Sequence, residues 1–340
     1  MAEHSQAQVV ADYGDARAEF AALISGSAVY DLGARSKIKL TGSDRVRWLN
    51  GMVTNNIRDL AANHGVYAFL LNPQGRILGD LYAYNQGGAL LIDSDQSQLE
   101  KLLAIFDKYI IMDDVEVANI SGQMTAIGMA GPRTREVLQA AGIELPELEP
   151  LQFVDLTWQN AKLTLLRSDN PVVESYELWL APENVSPVWN AIVKAGASPT
   201  GAAAVEWLRV AAGVPRYGQD IRERDLPQET SQDRALHFTK GCYVGQEIVE
   251  RIRSRGAVHR QFTGFEIHSL DNSGLPAPGS KIQVEGKDVG EITSVASLPS
   301  ENGEHAVALG YIRREVGNPG RQVHAGDTVL AVARLPFIQL

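Results

Sequence analysis

The stretch Lys240 to Glu247, KGCYVGQE, holds the single cysteine of 340 residues, with a lysine two places before it and glycines at 241 and 245. Two readings are open to such a segment. A free cysteine is often a small buried packing residue, and glycines on either side then mark a tight turn. An exposed thiol near the Lys240 ammonium would instead gain thiolate character, and a thiolate is both a nucleophile and a metal ligand. The polar setting, between a long loop and a charged run, favours exposure and chemistry. One cysteine closes no intrachain disulfide and supplies one ligand only, so no metal site of this chain's own is expected. Any cluster that Cys242 touches would be shared with a second molecule. Just downstream, Arg251, Arg253, Arg255 and Arg260 fall within ten positions. They form either a solvated face or, if the segment is extended, a row in which Arg251 and Arg253 share one side and meet an anionic ligand tail.

The elements that must position these residues are legible in outline. VYDLGARSKIKLTGSDRVRWLNGMVTNNIRDL reads as an alternating strand, a capping turn at Thr41-Gly42-Ser43-Asp44, and a helix with Val46, Leu49 and Val53 on one face. Short strands follow, broken at Asn72–Gly75 and Gln86–Gly88, and then an amphipathic helix, SQLEKLLAIFDKYI, with Leu99, Leu102, Leu103 and Phe106 inward. From Thr125 the pattern partly repeats: TAIGMAG as a strand, PRTREVLQAAG as a helix opened by proline and closed by glycine, strands around KLTLLR and YELWLA, and a helix in VSPVWNAIVKAG. AVEWLRVAAG reads as a further helix before an irregular stretch from Gln219 to about Lys240. After Phe262 the text becomes short alternating segments cut by Gly and Pro, the pattern of a small β-barrel. The fold class is α+β: two lobes with antiparallel sheets, residues 1–120 and 121–200, a helix and long loop over 201–261, and a C-terminal barrel over 262–340.

Composition narrows the function classes. A formal charge of −10 argues against broad nucleic-acid binding through phosphate neutralisation. The amino terminus lacks the basic head and apolar stretch of a signal peptide, and no apolar run approaches the ~18 to 20 residues that span a bilayer. A cytosolic, monomeric protein with no membrane association is expected. Charged residues at 21% and apolar ones at 44% are ordinary for a globular chain.

The KGCYVGQE run, following LRVAAGVPRYGQD and LPQE, resembles the signature of the YgfZ-type folate-binding proteins, which are similar to the T-protein, the aminomethyltransferase of glycine cleavage. The resemblance covers nearly the whole chain, through VYDLGARSKIKLTGSD, LLNPQGRILGD and YELWLAP, although these belong to the wider T-protein superfamily. It implies a three-domain cloverleaf around a central pocket for tetrahydrofolate or a one-carbon derivative of it. A pterin presents an amino group and a ring N–H side by side, which one carboxylate accepts together; by resemblance Glu177, in YEL, is that carboxylate. Asp80 matches the aspartate placed near the folate nitrogens that carry the one-carbon unit, where it would orient or protonate an amine. Tyr67 would pack on the ring, and Arg209 in LRVAAG matches an arginine that approaches the folate.

Two departures separate this chain from the T-protein pattern: Ala211 stands where that pattern has Glu, and Lys240, Gly241, Cys242, Tyr243, Gly245, Gln246 and Glu247 have been added as a motif. One carboxylate is missing and one thiol has been gained. The resemblance then implies a folate-binding accessory protein for assembly or repair of iron–sulfur enzymes, including those that modify tRNA, with iron–sulfur clients or assembly proteins as partners and Cys242 as working thiol. The rival readings are a folate-dependent aminomethyltransferase and a non-catalytic interaction module that keeps the pocket as a relic.

Overall fold

In the computed structural model, which describes residues 2–4, 7–256, 258–269, 274–300 and 303–339, the first sheet has five strands. Their order is Gly65–Leu71, Ile77–Asn85, Leu90–Asp95, Arg35–Thr41 and Glu116–Asn119. The helices Arg45–Met52 and Leu99–Tyr109 belong to the same lobe, and Trp48 meets Phe106 edge to face at 5.3 Å. The turn into the first helix is built differently from the expected cap. The Asp44 side chain caps no backbone N–H of its helix and instead pairs with the Arg47 guanidinium at 3.2 Å; Asp44 Oδ2 accepts from Asp114 N at 2.9 Å, and Asp114 Oδ2 accepts from Ser43 N at 2.8 Å. Gly42, at φ +94°, sits so near Asp114 O that a Cβ there would lie 2.1 Å from it.

The second sheet runs Phe153–Trp158, Ala161–Arg167, Ser175–Leu180, Thr125–Ala130, Ala28–Asp31 and Ser198–Pro199. Its neighbours are antiparallel except the last pair, which is parallel. Helices Thr134–Ala140 and Val185–Lys194 bury Val137, Leu138, Val188 and Ile192 against it.

Two features depart from the expected division at 120 and 200. Strand Ala28–Asp31 pairs with Thr125–Ala130, so the second sheet takes a strand from the amino-terminal segment. The chain also separates into two compact units, and both sheets lie in the first: Met1–Leu70, Gly79–Val205 and His237–Tyr243. The physical reason is a shared core of Tyr84 and Leu91 from the first sheet with Ala126, Leu166, Phe153 and Trp179 from the second.

The second unit comprises Leu71–Leu78, Glu206–Leu236 and Val244–Leu340. Its centre is a closed six-stranded barrel, packed inside by Phe265, Ile292, Ile312, Val323 and Leu330. The stretch from Gln219 to Lys240 is irregular apart from one-turn helices at Pro227–Glu229 and Asp233–Ala235, as expected. The arginine run is not extended. Gln246–Arg255 is an α-helix, so the alternation of Arg251 and Arg253 defines no common face; Arg253 pairs with Glu250 one turn back at 2.9 Å, and Arg260 pairs with buried Asp225 at 2.7 Å. Among the described residues no helix is long and apolar enough to cross a membrane.

Candidate functional site

Strand register builds the site from below. Tyr82 lies opposite Asp93, and Asp93 lies opposite Lys37, so three neighbouring strands put a phenol, a carboxylate and an ammonium in one row. Because side chains alternate along a strand, Asp80 and Arg35 point to the same face. On the second sheet Glu177 and Trp179 share a face for the same reason.

Each oxygen of the Asp80 carboxylate is held by one neighbour of the first lobe. Its Oδ2 accepts from the Tyr67 hydroxyl at 2.6 Å and its Oδ1 from Gln98 Nε2 at 2.7 Å. Gln98, buried, also accepts from Asp80 N at 3.1 Å and donates to Ser94 Oγ at 3.0 Å, so one amide grips backbone and side chain together. Gly79 leaves room for this, since a Cβ there would lie 3.0 Å from Gln98 Oε1. Burial raises the Asp80 carboxyl above its ordinary value, against the hydrogen bonds from Tyr67 and Gln98 and the charge of Arg35. A carboxyl shifted upward and held in one orientation suits proton transfer to or from a ligand amine.

Tyr67, expected to pack on a ligand ring, has its own ring packed among aromatic neighbours. It is 5% exposed, its ring packed at 5.0 Å from Tyr82 and 5.4 Å from Phe69, and its hydroxyl orients Asp80. The ring is needed by the core because strand Gly65–Leu71 carries a nearly continuous apolar run.

Glu177 sits amid charged and aromatic neighbours. Its Oε2 accepts from Trp179 Nε1 at 2.8 Å, the only hydrogen bond its carboxylate makes with the described residues. Burial and then the Asp93 charge raise its pKa, while Lys37, Arg35 and the Trp179 hydrogen bond pull it down. Asp93 is itself bracketed: Arg35 Nε donates to Oδ1 at 2.8 Å, and the Lys37 ammonium lies 3.1 Å from Oδ2. The same ammonium stands 4.9 Å over the Trp179 ring. Burial pulls Arg35 down, but Asp93 and Glu177 outweigh it and hold the guanidinium charged. The remaining lone pairs of Glu177 can accept from a ligand edge that presents two adjacent N–H donors.

Arg35, Lys37, Asp93, Gln98 and Trp179 escaped the sequence reading. The signal available was the Lys37-Ile38-Lys39-Leu40 alternation, which marks a strand but does not say that one lysine is buried.

Arg209 belongs to the second unit, and its guanidinium is saturated within it. It donates to both oxygens of Glu206 at 2.9 and 2.7 Å, to Val214 O at 2.6 Å, to Asp220 Oδ2 at 2.7 Å and to Ser294 Oγ at 2.8 Å. All five N–H groups have partners among the described residues, so the guanidinium that was expected to approach a ligand is spent on structural contacts.

The KGCYVGQE segment divides by exposure. Cys242 is a free, exposed thiol, and Gly241 at φ +101° leaves open space beside it. Lys240 is the opposite, 1% exposed, its ammonium taken up by backbone carbonyls where the sequence suggested a cation beside the thiol. Its ammonium donates to the carbonyls of Asn50 and Val53, the latter at 2.5 Å, and lies 5.0 Å from the Tyr243 ring centre. These carbonyls end the helix Arg45–Met52, where a cation is favoured. Burial, then the charge of Arg58, lowers the Lys240 pKa to about 7. Gly245, at φ +82°, opens the helix that begins at Gln246; Tyr243 is buried and Glu247 exposed. Among the described residues no group of three His, Cys, Asp or Glu side chains is arranged to hold a metal.

Comparison with known proteins agrees with this architecture. The family model described as the GCVT N-terminal domain matches residues 1–240. A chloroplast protein of Arabidopsis thaliana named as a transferase is 25% identical over 317 residues, 92% of this chain and 72% of its own. An aminomethyltransferase of Rubrobacter xylanophilus is 27% identical over 306 residues, 89% of this chain and 80% of its own. The solved glycine cleavage system aminomethyltransferase T of Bartonella henselae superposes with a TM-score of 0.88 at 20% identity, covering 99% of this chain and 94% of that one. The fold is therefore T-protein-like, α+β with a closed C-terminal barrel.

Proposed function

Because the chain belongs to the family of the GCVT N-terminal domain, we propose that it binds tetrahydrofolate or a one-carbon derivative at Glu177 and Asp80, and serves iron–sulfur enzymes through Cys242. The observation that carries the folate reading is Glu177, a half-buried carboxylate with one hydrogen bond to the described residues, fixed by Trp179 and flanked by Lys37, Arg35 and Asp93. Glu177 accepts the two adjacent pterin donors, and Asp80, clamped by Tyr67 and Gln98, holds or accepts a proton at a ligand amine. What supports the thiol reading is the exposure of Cys242 within a segment pinned by buried Lys240. An exposed thiolate makes one bond to iron or one mixed disulfide, so its partner is an iron–sulfur client or assembly protein.

Isothermal titration with tetrahydrofolate tests the first half. Glu177→Ala weakens binding by about 2–4 kcal/mol, the cost of leaving charged hydrogen bonds unmade in a desolvated site, with circular dichroism confirming the fold. Affinity unchanged within about twofold would sink it. For the second half, Cys242→Ser retains folate binding and loses support of iron–sulfur enzymes in cells.

The aminomethyltransferase reading is favoured by the orientation of Asp80 and by the names of the relatives. Ammonia release from an aminomethylated lipoyl carrier protein in the presence of tetrahydrofolate, which takes up the one-carbon unit, decides for it; no release decides for the accessory role. A protein that binds no folate at all is the interaction module.

A further inference from the structure

Lys37 is buried, 1% exposed in its side chain, and its ammonium makes no aligned hydrogen bond among the described residues. Its contact with Asp93 at 3.1 Å is an ion pair only, and Asp93 is already neutralised by Arg35 at 2.8 Å. Keeping an ammonium here is costly, and Asp93 does not by itself require it. The other object it touches is the Trp179 ring, whose N–H holds Glu177. We propose that Lys37 is a positioning residue for the ligand site: acting across Trp179, its ammonium keeps Glu177 in the carboxylate form that accepts a ligand's N–H donors. The proposal rests on the folate reading for the identity of the ligand.

The groups facing Glu177 are Asp93, Arg35, Lys37 and Tyr84 from the first sheet and Tyr30 and Trp179 from the second. Tyr30 and Tyr84 are held protonated by burial and by the Glu177 charge, so neither contributes charge near neutral pH. Asp93 opposes ionisation of Glu177 and Arg35 supports it, but Arg35 bonds Asp93 directly. That leaves Lys37 as the cation without another hydrogen-bonded partner. A protonated Glu177 would accept from one of the ligand's two donors and turn an O–H against the other, and binding would weaken.

The test titrates the Glu177 carboxyl by carbon-13 NMR, assigned with Glu177→Gln, in wild type, Lys37→Met and Lys37→Arg. In parallel, calorimetry follows 5-formyltetrahydrofolate, an oxidation-stable reduced folate, from about pH 5.5 to about pH 9. Lys37→Met is expected to fold because Arg35 still pairs Asp93; if it does not, Lys37→Gln carries the comparison. The expected result is an upward shift of the Glu177 midpoint in Lys37→Met, reversed in Lys37→Arg. Affinity for the folate should fall about tenfold near pH 6.5 and recover towards wild type near pH 9. An unmoved midpoint overturns the proposal, even if Lys37→Met binds more weakly at every pH. A shifted midpoint in a protein that binds no folate upholds the coupling of Lys37 to Glu177 and overturns the folate reading alone.

Discussion

At the residue scale, the side chains whose chemistry is set by burial are Asp80, Glu177 and Lys240, and in each the uncharged form is favoured by desolvation. Lys240 offers the cleanest check, because its role as a clamp is separate from ligand binding. Its folded pKa, about 7, is below the ordinary lysine value, so between about pH 7 and about pH 10 the unfolded chain binds the extra proton. Stability from this group therefore rises with pH through that window and is lost as pH falls towards 7. Thermal unfolding of wild type should show this rise and Lys240→Met should lack it. Equal slopes in the two proteins would mean the ammonium is not desolvated as the geometry requires.

At the element scale, the motif works through backbone shape as much as through side chains. Gly245 opens the helix Gln246–Arg255 at φ +82°, and a Cβ there would lie 2.6 Å from Asn72 O and 3.2 Å from Gly75 Cα. Both the left-handed conformation and the close approach of the hairpin turn demand glycine. Gly245→Ala should lose about 1–3 kcal/mol in chemical denaturation. An unchanged midpoint would show that the turn tolerates a side chain. The Asn72–Gly75 turn and the Gly79–Asp80 step are thus constrained from separate directions, the first by Gly245 and the second by Gln98.

At the scale of the whole molecule, each compact unit carries its own buried charge network. In the second, Asp220 is fully buried and accepts from Arg209, Thr293, Ser294 and the backbone of Arg216. Removing Arg209 leaves a buried carboxylate without its cation, which costs about 3–5 kcal/mol. Arg209→Met should show that loss in denaturant unfolding; a folate contact without a structural task would instead weaken binding and leave stability alone. In the first unit the charges converge on Glu177, so there the cost of burial is coupled to the proposed ligand site.

What the sequence by itself determined was the local order: the period-two and helical patterns, the turns at Asn72–Gly75 and Gln86–Gly88, the switch to barrel strands after Phe262, and a lone cysteine in a polar glycine-flanked run. These depend on nearest neighbours in the chain, where sterics and alternation act directly. Asp80 and Glu177 were legible only through a resemblance of whole segments. Tertiary structure decided the rest. It placed Tyr67 behind Asp80, turned Lys240 inward to two carbonyls, spent Arg209 on Glu206 and Asp220, and made a helix of the arginine run. It also moved Ala28–Asp31 into the second sheet and set Lys37 against Trp179. Each of these is a contact between residues far apart in sequence, or a competition between local propensity and such contacts. Whether a charge meets water, a carbonyl or another charge is fixed by cross-strand register and by what packs above the strand, and neither is written in the spacing of the residues themselves.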